Sequence, residues 1–147
     1  MTSLPAADPV LEPTAWGRAL AWALAAVMLV ANLAGYALDL YQRFWWFDRV
    51  LHGGTILAIT FWLGLFFCAR RLHPSYGRDL VAVLLLACVG IAIGALWEVA
   101  EWGADLVLPG DVIKGKHDTI IDLIMDTAGA LAGAALAMPC LRRRPAA

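Results

Sequence analysis

Four apolar runs, each about as long as the twenty or so residues a helix needs to cross a bilayer, constrain this chain more than any other feature. They cover roughly residues 18–38, 49–69, 80–102 and 118–138. Of 147 residues, 62% are hydrophobic and 16% charged, and a domain this small leaves much of its surface outside any core. That surface must face lipid. The expected fold is an all-α membrane protein, a four-helix transmembrane bundle with short loops.

The length fits one domain. Residues 1–15 are acidic and proline-bearing and lack the basic start of a signal peptide, so they are expected to form a retained, disordered leader. Residues 16–141 make the bundle and residues 142–147 a basic tail. The linker DLYQRFWWFD is aromatic and suits the membrane interface, where Trp45 and Trp46 are at home. RRLHPSYGRD and GADLVLPGDVIKGKH contain proline and glycine breakers and are expected to be loops. A net charge of −1 excludes a global field for nucleic acid. Cys68, Cys88 and Cys140 form no paired spacing and are expected to be small apolar fillers rather than disulfides or zinc ligands.

The charges are distributed unequally. With four spans, both termini and the second linker share one side, which carries Arg18, Arg70, Arg71, Arg78, Arg142, Arg143 and Arg144. The other side holds Arg43, Arg49, Lys114 and Lys116, so both termini are expected in the cytoplasm of a multi-pass bacterial inner-membrane protein. Nine of the 12 carboxylates lie on the opposite side or enter the membrane from it.

Those carboxylates have helical spacing. Asp48 and His52 (i,i+4) open the second span, and Glu98 and Glu101 (i,i+3) close the third. Asp118, Asp122 and Asp126 form a ladder opening the fourth, behind His117. Residues three and four apart share a helix face, so each span presents one polar stripe at a similar depth. Asp126 lies roughly 12 Å deeper along its helix than Asp118. A charge near a helix centre costs about 2.5–3.5 kcal/mol, against a gain of about 0.3–0.6 per leucine, so these acids must face the bundle interior. There they are protonated, paired, hydrated or bound to a cation. Asp48 and Asp118 have an alternative role as helix-start caps, and His52 as a hydrogen-bonded core histidine; His117 reads as a loop residue. Glu98 and Glu101 end a helix, where a cap is not the explanation. Arg49 and Lys116 are expected to neutralise part of the cluster. Gly90 with Gly94, and Gly129 with Gly133, are close-approach pairs; Trp16, Trp97 and Trp102 read as interfacial belt residues.

Carboxylates and imidazole on facing bundle helices are how di-metal carboxylate sites are built. The candidate ligands are therefore Asp48, His52, Glu98, Glu101, Asp118, Asp122 and Asp126 for a divalent metal cation: magnesium, calcium or manganese by oxygen ligation, iron or zinc once imidazole joins. No hydrolase or nucleotide-binding motif singles out a catalytic residue.

Taken in order, Asp48-Arg49-x-x-His52, the Glu98/Glu101 pair and the Asp118, Asp122, Asp126, Gly129, Gly133 series resemble the VanZ-like superfamily of small bacterial membrane proteins, most closely its YjdF-like branch. The resemblance covers residues 16–138 and implies a four- or five-helix inner-membrane protein. VanZ is associated with glycopeptide tolerance, which implies the cell envelope. Where VanZ-like proteins tend to carry glutamine and asparagine, this chain has Glu101 and Asp126. The functional expectation is a polar site opening to the outer leaflet, metal-binding and acting on a lipid-linked or envelope substrate as a hydrolase or transferase. A non-enzymatic subunit of a larger membrane protein complex and a proton-coupled transporter are the alternatives.

Overall fold

The computed structural model describes residues 10–69, 76–108 and 112–144. Strand β1 (Val10–Pro13) leads into helix α1 (Ala15–Ala37), a short α2 (Leu40–Arg43) and α3 (Phe47–Leu63). Helices α4 (Tyr76–Val107) and α5 (Lys116–Ala137) follow, then strand β2 (Leu141–Arg144). A π-helical turn, Gly64–Cys68, prolongs α3, and a 3-10 turn, Met138–Cys140, prolongs α5. Among the described residues four helices are long and apolar enough to cross a membrane, at Ala15–Ala37, Phe47–Cys68, Asp79–Val107 and Lys116–Cys140. All four expected spans are found, and the fold is an all-α membrane bundle.

Local chemistry sets the helix ends. Thr14 caps α1, its Oγ1 accepting the Gly17 amide at 2.9 Å. The helix stops at Leu38, and the next residue, Asp39, turns the chain with φ 58°. Aspartate is among the few non-glycine residues that visit this left-handed region. Helix α4 has 32 residues and a length of about 48 Å, well beyond the ~30 Å apolar thickness of a bilayer.

Without a hydrophobic drive inside lipid, helices associate by close backbone approach. Here α3 and α5 provide it. A Cβ on Gly129 would collide with the backbone of Gly53, and one on Gly133 would lie 2.5 Å from the Leu57 carbonyl oxygen. Gly90 of α4 lies against Thr60 and Ala130 in the same way. The glycine pairs expected to pack do so. Helix α1 is peripheral: 11% of its apolar window is buried, against 50% for the span containing α3.

The apolar core, built around Phe61, Leu65, Leu86, Ala134 and Ala137, fills the half of the bundle nearest the chain ends. Strand β1 pairs antiparallel with β2, Leu11 opposite Arg143. Residues 10–13 of the expected disordered leader are therefore ordered, because the basic tail supplies the strand partner their backbone needs. Residues 1–9 and 70–75, parts of the expected leader and second loop, lie outside the described residues.

Three further expectations need correction. Residues 76–79, assigned to the second loop, form the first turn of α4. Residues 103–107, assigned to the third, remain helical, since one glycine costs a helix only about 1 kcal/mol. His117 lies in the first turn of α5 rather than in a loop, and is exposed.

Candidate functional site

At the end of the bundle opposite the strands, α3 and α5 begin while α4 finishes. The buried His52 imidazole is the hub. Its Nδ1 lies 3.6 Å from Glu98 Oε1 and 3.4 Å from Asp126 Oδ1. Its Nε2 lies 3.8 Å from both Asp48 Oδ1 and Glu101 Oε1. Three helices thus deliver four carboxylates around one ring, as the spacing of the stripes implied. All four distances exceed the roughly 2.7–3.2 Å of an ordinary N–H···O hydrogen bond. The cluster is assembled but not closed on itself.

Burial sharpens the point. Asp126 is 1% exposed, Asp122 3% and Glu98 6%. One oxygen on each, Asp126 Oδ1, Asp122 Oδ1 and Glu98 Oε1, has no hydrogen-bond partner among the described residues. A buried polar atom left unsatisfied costs about 1–3 kcal/mol, and more for a charged group. Two ligand sets have donor atoms within 4.8 Å of one another: Asp48, His52 and Asp122, and His52, Glu98 and Glu101. That spread is about twice a metal–oxygen bond for calcium, the widest separation of two ligands on one ion.

Gly94 does more than pack. A Cβ there would fall 2.5 Å from Asp126 Oδ2 and 2.7 Å from its Cγ, so the absence of a side chain on α4 is what admits this carboxylate.

Asp118 stands apart from the hub. Its Oδ1 pairs with Arg49 Nη2 at 3.3 Å and its Oδ2 accepts the Lys114 amide at 3.3 Å, the behaviour of a helix-start residue and ion-pair partner. Asp48 makes no capping bond and faces His52 instead. Arg49 also donates to the Trp45 carbonyl and stacks over its ring at 5.3 Å. The cation that lines the cavity is Lys114, whose Nζ donates to the Tyr41 carbonyl. Trp97, expected in the interfacial belt, donates its indole N–H to Glu101 Oε1 at 2.7 Å and lines the cavity wall. Trp16 and Trp102 are exposed, as belt residues are.

The acids open into a cavity of about 300 Å³ bounded by the ends of α1, α3 and α4, by α2 and by the loop before α5. Several of its wall residues escaped the sequence reading. Asn32 Nδ2 donates to the Met28 carbonyl at 2.9 Å and to Thr55 Oγ1 at 3.4 Å, and its Oδ1 accepts the Tyr41 hydroxyl at 2.9 Å. Burial raises the Tyr41 phenol well above its ordinary pKa, which keeps that hydroxyl a donor. A lone amide inside an apolar span was the available signal for Asn32. Asp105, one of the nine carboxylates gathered at this face, holds the loop: its carboxylate accepts the amides of Val112 at 2.7 Å and Ile113 at 2.9 Å, tying the loop to α4.

Chemically, a buried imidazole among hard oxygen donors suits a divalent cation, and a cavity beside it gives a second molecule access. Asp122 and Asp126 sit in the fourth apolar span, where facing lipid would be costly, and the fold instead turns both inward.

The family model described as "Predicted membrane protein (DUF2238)" matches residues 14–143, all four long helices but not strand β1. A protein of Thermotoga maritima described as uncharacterized is 33% identical over 109 residues, 72% of this chain. The chain spans about half the length of that relative, 55%. No solved structure matches.

Proposed function

The chain belongs to the DUF2238 family of predicted membrane proteins, and we propose that this member is a membrane-embedded divalent-cation site acting on a lipid-linked or envelope substrate from the outer leaflet. One observation carries the reading: three buried carboxylates near His52 each keep an oxygen that accepts no hydrogen bond among the described residues. His52 itself stays 3.4 Å from Asp126 Oδ1 and 3.6 Å from Glu98 Oε1, beyond an ordinary hydrogen bond. Arg49 is taken by Asp118 and Trp45, and Lys114 stands at the loop. Charges of one sign so placed recruit a positive ion or neutralise themselves.

His52, Glu98 and Glu101, with Asp48 and Asp122 beside them, form the ligand set. Asp126, whose Oδ2 lies 3.4 Å from His52 Nδ1, stands behind it, in the place of an outer partner that orients a metal-bound imidazole. A bound cation polarises a substrate oxygen or supplies an activated water, so the reaction class is hydrolysis or group transfer. The VanZ-like, and more narrowly YjdF-like, kinship belongs to this proposal, as does a bacterial inner membrane with the arginine-rich ends in the cytoplasm. Cysteines placed at Lys114 and Lys116 should then react with impermeant reagents from the outer side; reaction from the cytoplasm alone inverts the site.

The test is elemental analysis of the purified full chain. Wild type should retain about one divalent ion, with tight-site affinity falling 10- to 100-fold or more when a ligand or its support is lost. Asp122→Ala and His52→Ala should abolish retention, and chelation should lower the melting temperature of wild type but not of Asp122→Ala. Wild-type protein that binds no divalent ion and ignores chelator would refute the site, leaving the acids as structural members of a larger complex.

A further inference from the structure

A second hollow adjoins the polar cavity. It is an apolar groove of about 640 Å³ between α1 and α3 with Trp97 at one edge, against about 300 Å³ for the cavity. Asn32, Tyr36, Thr55 and Trp97 line both, so the two are one continuous surface, wet at one end and apolar along the rest. The groove follows α1 from Tyr36 back to Trp22, about 21 Å at the helical rise, and so runs along the membrane normal through more than one ~15 Å leaflet.

Ordinary lipid-facing surface is convex, and this one is not. Its floor is α3 from Thr55 to Leu63, and Met28 of α1 closes over Gly54, where a Cβ would meet its sulfur at 2.7 Å. At the junction with the cavity, Asn32 and Thr55 bond to each other, marking where polar chemistry gives way to apolar. Such a layout fits a molecule with a headgroup and a chain, at a size typical of ligand sites.

The headgroup's charge follows from the walls. Asp39, Asp48, Glu101 and Asp126 line the cavity, with Glu98 and Asp122 behind them near His52. Carboxylates outnumber the cationic side chains on these walls, where His52 and Lys114 face Asp39, Asp48, Glu101 and Asp126, so the cavity offers a headgroup mainly acidic oxygens. The rings of Tyr36, Tyr41 and Trp97 face the same space, and aromatic faces beside carboxylates favour an ammonium group.

We propose that the groove between α1 and α3 seats the acyl chain of an amphiphile whose ammonium-bearing headgroup lies in the acidic cavity. This rests on the cavity being a ligand site, and it adds the substrate class: an aminophospholipid or a lipid of like headgroup.

The full chain reconstituted in phosphatidylglycerol vesicles, doped with phosphatidylethanolamine carrying a diazirine on its acyl chain, tests the assignment by photolysis and peptide mass spectrometry. Labelling should concentrate several-fold on 22–36 and 55–63 over the lipid-facing α4 positions Leu84, Leu85 and Val99. Diazirine phosphatidylglycerol should not show that enrichment. Ala25→Trp should bring groove labelling down to the α4 level while metal content holds; Leu29→Trp, at an exposed position, is the second variant if the first does not fold. Even labelling of α4 and groove, or equal enrichment for both headgroups, overturns the proposal. Metal-free wild type that still labels the groove selectively would count against the cation reading and support this one.

Discussion

The two ends of this bundle are built on opposite principles. At the strand end, backbone groups pair locally: β1 pairs with β2, Thr14 N–H donates to the Cys140 carbonyl at 2.8 Å, and Arg18 reaches the Pro13 carbonyl at 2.7 Å. Its interior is Phe61 and Leu65 among alanines, and its ion pair, Arg142 to Glu12 at 2.6 Å, lies at the surface. At the other end the interior is His52 with four acids near it, three buried carboxylates have an oxygen that accepts no hydrogen bond among the described residues, and a cavity adjoins them. One end is mostly apolar inside, and the other gathers the buried acids. The same helices do both: α3 and α5 meet backbone to backbone at Gly53 with Gly129 and at Leu57 with Gly133, and the acids stand beyond these contacts toward the helix starts.

That division can be broken by substitution, and the largest effect should come from Gly133→Val. The new side chain meets the Leu57 carbonyl and the Phe61 amide, an overpacking with backbone on the receiving side, for a loss of about 3 kcal/mol. Thermal melts in detergent measure it. A melting temperature unchanged from wild type would mean that α3 and α5 do not meet as described.

Gly94→Ala should act on the other end. Its methyl displaces the Asp126 carboxylate, so cation affinity should fall about 10-fold or more, as when an outer partner of a ligand is disturbed. Stability should change much less than in Gly133→Val. Gly103→Ala is the control on the same helix: none of the described residues lies within 4 Å of the added Cβ, and affinity should stay at the wild-type value. Equal titrations for the two variants would remove Gly94 from the site.

The smallest effect belongs to Arg142→Gln. The arginine side chain is 62% exposed, and an exposed pair contributes about 0.5 kcal/mol, less in high salt. A loss above about 1 kcal/mol would show that the strand clamp depends on this pair rather than on its backbone ladder.

Much of this was legible in the order of residues, and the limits are instructive. The four spans could be read because a bilayer imposes length and apolarity residue by residue, without reference to any neighbour. Asp48, His52, Glu98, Glu101, Asp122 and Asp126 could be read as one group because helical spacing fixes a face and lipid forbids charge on the outside. Asp118 and Lys114 could not be assigned this way. Whether a carboxylate at a helix start meets a histidine or an arginine depends on how far one helix slides along another, and Arg49 captures Asp118 only in the register that Gly53 and Gly129 permit. Trp97 read as an interfacial residue and Asn32 drew no reading, because only the packing of α1 on α3 makes them the wall of a cavity. The pairing of residues 10–13 with 141–144 was hidden for the same reason: nothing in either short segment requires a strand, and only the return of an even number of spans to one side brings the two backbones together. Sequence alone determined which residues must lie in lipid and which must be turned from it, because those costs are local. The tertiary structure decided which of the inward residues touch, which oxygens stay free and where the hollow lies, because contact across helices depends on interhelical distance and register.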